Sequence, residues 1–428
     1  SSSSPGRGPL KAETGVRVPY GAQSARAIGR IFAFLWAVCA QPAAAWVTIV
    51  SMLTRWFPRL GRRATQVGSP VSLPAAREWL PGLLDYTILR PAETVRLDDP
   101  ALTAFLARQT AVPHDGSAFH TEPIVRATLA DVVFDPRSGA VWAADGSLLI
   151  DSIKNTGRLK HVRPAPVAGG VLPGLYSSIS GAIAAGNPFH WLIETLPRLY
   201  SLAGVAEPVT LLMPDSLPPA RQAQLAACLP PQITLRLVPA GARLRLERFV
   251  LPSYLTTQWD FAYLPTGHLA YVRDRLLAAN GTAAPPGRER LYISRAGARV
   301  RRVINEEAVL AAIRPLGFRA VRLEELPFAE QVRLFRAADI VVAPHGAGLA
   351  NILFSPPTTV VELASRVVSP VYFFLSLALG HDYRYVYPLE LNDTPLPAPA
   401  DGRRYSAQRD MDVTIDPAAV VSALGLHD

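Results

Sequence analysis

The sequence predicts an α/β protein made of two Rossmann-like lobes facing each other across a cleft, preceded by a helical N-terminal membrane-associated segment. Three observations predict it. From about residue 166 onward, short apolar runs of strand length alternate with segments of helical periodicity, the pattern of parallel sheets with helices on both faces. One Gly/Pro-rich run, Asn280-Gly281-Thr282-Ala283-Ala284-Pro285-Pro286-Gly287, interrupts the alternation and reads as the linker between two sheets. The chain has 428 residues, 49% of them hydrophobic and 18% charged, enough for more than one core and far from the composition of a disordered chain.

The N-terminal arm differs from the rest. Residues 1–70 carry nine basic residues and one acid, so 8 of the 9 net positive charges sit there and the body is close to neutral. That balance disfavours a nucleic-acid-binding body and favours an arm that meets an anionic membrane surface. Residues 1–30 are rich in Ser, Gly and Pro and read as a disordered basic arm. Ile31 to Thr54 is free of charge and bracketed by Arg30 and Arg55, which makes residues 31–63 an apolar anchor helix. It either spans a bilayer, lies in its plane or packs on the body, since Gln41-Pro42 would kink it. If it spans, Arg55, Arg59, Arg62 and Arg63 put the body in the cytoplasm, at the inner face of the membrane. Two cysteines, Cys39 and Cys228, exclude a disulfide scaffold. The near-exclusive use of Arg over Lys fits a GC-rich bacterial genome.

Residues 64–120 read as an irregular connection. An N-terminal lobe then covers 121–280, with short strands around Val132-Val133-Phe134, Val141-Trp142 and Leu148-Leu149-Ile150, strands at Val209–Met213, Ile233–Leu237 and Phe249–Leu251, and helices at Pro218–Cys228 and His268–Asn280. A C-terminal lobe covers 288–375, with strands Arg290–Ser294, Phe318–Arg322, Ile340–Ala343 and Val360–Leu363 and helices Asn305–Pro315, Phe328–Ala337 and Leu349–Phe354. Residues 376–428 read as an extension packing back on the lobes.

The sharpest motif is Ile340-Val341-Val342-Ala343-Pro344-His345-Gly346-Ala347-Gly348-Leu349-Ala350-Asn351, a buried strand ending in a glycine-rich turn before a helix. Ligands of open α/β sheets bind beyond the carboxyl ends of strands, and a helix N-terminus there suits phosphate. The turn is equally readable as a tight strand–helix connection. Its spacing is neither a Walker A loop nor G-x-G-x-x-G, which removes support from ATPase and dehydrogenase readings. Ser294-Arg295 ends another strand of the same lobe, and an arginine fork matches phosphate oxygens. Arg299, Arg301 and Arg302 come next and individually read as solvent-exposed. Glu362, at the end of the next strand, either accepts ribose hydroxyls or is solvated.

In the other lobe, Asn187 reads as an N-cap and Pro188 as the first helical residue, placing His190 in the first turn and Glu194 one turn later on the same face. A helix N-terminus disfavours charged imidazole, which leaves His190 able to accept a proton. Glu194 could orient the ring or pair with Arg198, and His190 could equally be a hydrogen-bonded core residue.

Taken together, Asn187-Pro188-Phe189-His190-Trp191 with Leu196-Pro197-Arg198, then Leu291-Tyr292-Ile293-Ser294-Arg295, Arg301-Arg302, Asn305-Glu306, Leu326-Pro327-Phe328-Ala329-Glu330-Gln331 and the 345–351 run, resemble glycosyltransferase family 61 over roughly residues 120–375. The resemblance implies a GT-B-like fold, inverting transfer, a nucleotide-sugar donor (usually UDP-linked) and a glycan or glycolipid acceptor, as in surface polysaccharide synthesis. It implies donor-site roles for Ser294, Arg295, Arg301, His345, Gly346, Ala347, Gly348, Leu349, Asn351 and Glu362, and acceptor-side catalytic roles for His190 and Glu194. Family motifs often place the acid one position away from Glu194. A catalytically inactive nucleotide- or polysaccharide-binding relative is the alternative. Asp410-Met411-Asp412 reads as solvated surface rather than a metal site, so no metal or other cofactor is expected. Donor and acceptor are the expected partners, with the membrane surface and without nucleic acid.

Overall fold

In the computed structural model the described residues are 70–96, 103, 118–154, 167, 169–181, 185–255, 264–281, 288–366, 369–391 and 410–426, all within the unit Val67–Asp428. The basic arm, the apolar segment 31–63, Cys39 and most of the 280–287 linker lie outside them. Among the described residues no helix is long and apolar enough to cross a membrane.

The first sheet has nine strands. They are β1 (Pro70–Val71), β2 (Leu83–Arg90), β3 (Ile124–Phe134), β4 (Val141–Trp142), β5 (Leu148–Leu149), β6 (Leu172–Ser177), β7 (Val209–Pro214), β8 (Ile233–Val238) and β9 (Leu244–Pro252). The order is β1-β5-β4-β3-β9-β6-β7-β8, with β2 paired to β3. Strands β9, β6, β7 and β8 are mutually parallel, a Rossmann-like set, while β3 runs antiparallel to β9. Helices α1 (Pro219–Cys228) and α2 (Thr266–Asn280) belong to this half.

The second sheet is wholly parallel: β10 (Glu289–Ile293), β11 (Phe318–Val321), β12 (Ala338–Pro344), β13 (Thr359–Leu363) and β14 (Asp382–Val386), in the order β11-β10-β12-β13-β14. It alternates with α3 (Glu306–Ile313), α4 (Phe328–Arg336), α5 (Val371–Leu379) and α6 (Pro417–Leu424). Relative to its first strand, this is the 2-1-3-4-5 order of a doubly wound sheet, and its chain reversal lies between β10 and β12. Such strands are covered on both faces, which is why Ile340-Val341-Val342-Ala343 is one continuous apolar run. A single core joins the two sheets: Leu269, Val272 and Leu276 of α2 share it with Phe335 of α4 and Leu353.

Three expectations are corrected. Residues 64–120 are not irregular throughout, because Leu83–Arg90 pairs antiparallel with β3 and Thr94–Arg96 pairs with Ala118–His120. The C-terminal sheet does not end by residue 375: its fifth strand is Asp382–Val386, and α6 packs its Val420 and Leu424 into a separate core with Val361, Leu363 and Val386. Leu349–Phe354 is part of a 3₁₀ helix that starts at Ala347.

Candidate active site

The carboxyl ends of β10 and β12 bound a cleft of about 380 Å³, lined among others by Ser294, Arg295, Gly346, Gly348, Leu349 and Asn351, with Pro188 contributed by the first half. It opens where β10 and β12 send their connections in opposite directions, the place a doubly wound sheet offers a ligand.

Arg295 is the cation of this cleft. Its Nη2 donates to the Val300 carbonyl at 3.0 Å and its Nε to the Arg301 carbonyl at 3.3 Å. Among the described residues no carboxylate lies within ion-pair distance of it. Burial first, and the neighbouring Arg301 guanidinium second, push Arg295 below the usual arginine range. The attraction of an anion in the cleft would offset both effects. Arg301 contributes differently from the expectation. It does not line the cleft; its carbonyl holds Arg295, and its left-handed backbone (φ 58°) makes the bend that allows this. The loop is tied to the Asp410-Met411-Asp412 run, which lies at the surface as expected, Met411 being 44% exposed. Arg302 donates to Asp412 through its backbone N–H at 2.8 Å and its side chain at 2.6 and 3.0 Å, and Arg301 N–H bonds the Asp410 carbonyl. Ser294 closes the strand end, its Oγ 3.0 Å from Glu306 Oε2.

The glycine-rich turn presses against Arg295. A side chain at Gly346 would run into the guanidinium, and one at Gly348 would meet Leu323 Cδ1 at 2.9 Å. The Leu349 amide donates back to the Gly346 carbonyl at 3.0 Å, so it is used inside the turn. The amides left by 3₁₀ geometry at the start of this helix are those of Ala347 and Gly348. Asn351 is held by Gln331: Nε2 of Gln331 donates to the Leu323 and Leu326 carbonyls, and its Oε1 accepts from Asn351 Nδ2 at 3.1 Å. His345 and Glu362 are buried and are not among the residues that line the cleft. His345 Nδ1 lies 2.5 Å from Glu362 Oε1, and the other carboxylate oxygen accepts from Tyr383 at 2.6 Å. Both Glu362 oxygens thus carry a partner, and the carboxylate is buried beside His345 and Tyr383 rather than solvated.

On the facing half, Asn187 caps as expected, its Oδ1 accepting from Phe189 N–H at 2.9 Å. The segment it caps is not an α-helix but a π turn, His190–Thr195, with the Leu196 amide bonded to the Trp191 carbonyl. Pro197 has no N–H to give the usual i−4 carbonyl. Trp191, Leu192, Ile193 and Leu196 are buried in the shared core, worth about 1.5–3 kcal/mol each. The π register leaves His190 26% exposed by side chain while Glu194 is 3% exposed. His190 Nδ1 is 2.5 Å from Glu194 Oε2, and Lys154 Nζ is 2.5 Å from Glu194 Oε1. Burial alone would raise the Glu194 carboxyl; Lys154 and His190 outweigh it and hold it below the usual carboxylate range. Arg198, considered as a partner of Glu194, instead bonds the Pro252 carbonyl at the end of β9 and lies over the Tyr254 ring.

Tyr372 of α5 joins the two halves. Its hydroxyl donates to the Gly346 carbonyl at 2.5 Å, and its ring meets Phe189 at 5.5 Å and His345 at 5.2 Å between centroids. Burial first, then Glu362, push that hydroxyl far above its usual range, so it stays a donor. Sequence reading missed Lys154, Gln331 as a holder of Asn351, and Tyr372. Lys154 carried a faint signal, being one of three lysines in a chain with 43 basic residues. Among the described residues no group of three or more His, Cys, Asp or Glu is arranged to hold a metal.

Residues 189–361 match the family model described as Glycosyltransferase 61. The chain is 38% identical over 68 residues to the EGF domain-specific O-linked N-acetylglucosamine transferase of Drosophila melanogaster, which is 15% of this chain and 13% of that protein. It is 37% identical over 118 residues to Protein O-linked-mannose beta-1,4-N-acetylglucosaminyltransferase 2 of Tetraodon nigroviridis, 25% of this chain and 20% of that one. The matched stretches therefore span a fifth or less of these relatives.

Proposed function

We propose that this chain, whose residues 189–361 are a glycosyltransferase 61 domain, transfers a sugar with inversion from a nucleoside diphosphate to a hydroxyl of a glycan or glycolipid, using a GT-B-like pair of lobes. The observation that carries the reading is Arg295, held by carbonyls and lacking a carboxylate partner among the described residues, set against the Gly346 turn at the chain reversal of a parallel sheet. An arginine so placed, with the Ala347 and Gly348 amides, suits the diphosphate of a departing nucleotide.

His190 is the base in this reading. Glu194 accepts from Nδ1–H and leaves the Nε2 lone pair free. The acceptor oxygen attacks the anomeric carbon from the face opposite the diphosphate. As that C–O bond forms, the anomeric carbon–phosphate oxygen bond breaks, the hydroxyl proton passes to Nε2, and the nucleoside diphosphate leaves with the electron pair. Arginine and amides then do the work a metal ion would otherwise do. Both relatives are named as N-acetylglucosamine transferases, so UDP-N-acetylglucosamine heads the donors to test. Attachment to the cytoplasmic face of a membrane through residues 31–63, and a role in surface polysaccharide synthesis, belong to the same reading and are supported by sequence composition.

The test is a panel of UDP-, GDP-, CMP- and dTDP-sugars, read by melting-point rise and by release of free nucleotide with EDTA present. One donor class should stabilise the protein and turn over without added metal. His190→Ala should lower kcat by at least about 100-fold, the contribution of a positioned base, with donor affinity kept. Near-normal kcat in that variant would overturn the assignment of the base.

A further inference from the structure

The buried carboxylate at Glu194 has a second partner that the proposed chemistry does not call on. Lys154 comes from the segment after β5, 40 residues before Glu194 in sequence, and is itself 8% exposed by side chain. A buried lysine is strongly disfavoured unless paired. Here its ammonium occupies Oε1 while His190 occupies Oε2, so neither carboxylate oxygen is left to swing toward the other partner.

We propose that Lys154 is a positioning residue of this site: by holding one oxygen of Glu194 it fixes the carboxylate that holds the Nδ1 edge of His190, leaving Nε2 as the atom that takes the acceptor's proton. The inference deepens the transferase reading and rests on it for the kinetic readout alone. A merely structural lysine would stitch the segment after β5 to the π turn and affect stability only. A positioning lysine also sets how the Glu194–His190 pair shares protons. Removing a nearby positive charge favours the bound proton wherever in the pair it resides, so the pair keeps a proton to higher pH. The imidazole is then less available as a base near neutrality.

Other charged and titratable groups face the pair. Tyr254, which sits under Arg198, and Tyr372 of α5 both interact with Glu194, and Arg295, Arg301 and Glu362 act in turn on Tyr372. Substitutions at Lys154 leave all of these in place.

The experiment compares Lys154→Met and Lys154→Arg with wild type in the full chain. In Lys154→Met the acid limb of the kcat–pH profile should move up by roughly 2–3 pH units, the scale of one removed charge a few ångströms away at the effective dielectric of a protein. Donor KM should stay within about twofold, because the diphosphate end is 295 and 346–348 rather than 154. Lys154→Arg keeps the charge and should keep the wild-type limb. A second readout needs no substrate: the NMR titration midpoint of the His190 ring, assigned by its loss in His190→Gln, should rise in Lys154→Met. Should Lys154→Met fail to fold, Lys154→Gln carries the same test. The inference is overturned if kcat falls with the limb and the ring midpoint unmoved, or if Lys154→Arg moves them as far as Lys154→Met. Failure of the transferase reading looks different: wild type consumes no nucleotide sugar, while the ring midpoint still moves.

Discussion

Gly346→Ala isolates the contact on which the donor cleft depends. Gly346 has φ 175°, extended backbone that alanine adopts freely, so backbone strain is not the issue. The obstacle is Arg295. A Cβ at 346 would overlap its Nη1 and stand 2.9 Å from Cζ and 3.3 Å from Nε. The guanidinium is the far end of a flexible chain, but it is tied to the Val300 and Arg301 carbonyls and cannot shift without breaking those bonds. A hydrogen bond from a charged group contributes about 1.5–3 kcal/mol, and a displaced guanidinium recovers part of that from water. The expected loss of stability is therefore about 1–3 kcal/mol. Losing one arginine–diphosphate contact of about 2 kcal/mol weakens nucleoside diphosphate binding roughly 30-fold. Calorimetric titration with UDP, or with whichever diphosphate stabilises wild type best, measures it. The decisive comparison is the double variant with Arg295→Ala. If Gly346→Ala acts only by evicting Arg295, the pair of changes binds no more weakly than Arg295→Ala alone, a coupling as large as the smaller single effect. Wild-type affinity in Gly346→Ala, or strict additivity in the double variant, would refute the reasoning.

Tyr372→Phe removes the donor to the Gly346 carbonyl, which still receives the Leu349 amide; the stability loss should sit near 1 kcal/mol, with several-fold weaker diphosphate binding, and unchanged binding would show that the tyrosine does not position the turn. His268 is buried beside Ser201 Oγ at 3.0 Å, and burial first, Arg90 second, hold it down at about 4. The unfolded chain takes up this proton at higher pH than the folded one, so stability is full above about 6.5 and is lost on acidification toward 4, by up to about 3 kcal/mol. Asp151, raised by burial to about 6, works the other way, stabilising at low pH and losing that contribution as pH rises through 6. Urea unfolding of wild type and His268→Gln at pH 7 and pH 5 separates the two: the advantage of wild type should shrink at pH 5, and a constant difference between the proteins would sink the assignment.

How legible the molecule was in its sequence depends on whether a residue's role is set locally. The central strands of the parallel sheet could be read because burial on both faces writes an uninterrupted apolar run, as in Val341-Val342-Ala343; its edge strand Asp382–Val386, which has no such run, could not. The cap at Asn187 could be read because its partner is two residues away. Strand β2, Leu-Leu-Asp-Tyr-Thr-Ile-Leu-Arg, could not: it pairs on one side only, and its exposed Leu84 and Ile88 break the alternation that would mark it. The π turn leaves no periodic trace, and the only local hint is Pro197. Helix α5 is so apolar, Val-Tyr-Phe-Phe-Leu-Ser-Leu-Ala-Leu, that its composition does not separate the residue serving the site, Tyr372, from those serving the core.

The same limit applies to two histidine–carboxylate pairs among the described residues that share one contact geometry and differ in their surroundings. His345–Glu362 and His190–Glu194 both have Nδ1 2.5 Å from a buried carboxylate oxygen. They are told apart by the third partner and by access. Glu362 takes its other hydrogen bond from a neutral phenol, Tyr383, and its histidine is 8% exposed by side chain. Glu194 takes its other from an ammonium, and its histidine is 26% exposed. A base must be reachable by the proton it removes, and its carboxylate must stay ionised while the imidazole charges. The Lys154-backed pair has the more reachable histidine and an ammonium on its carboxylate, and Lys154 reaches it through tertiary structure that no local pattern encodes. Reading the pair as catalytic and reading its lysine as positioning are therefore one structural argument made at two distances from the reacting proton.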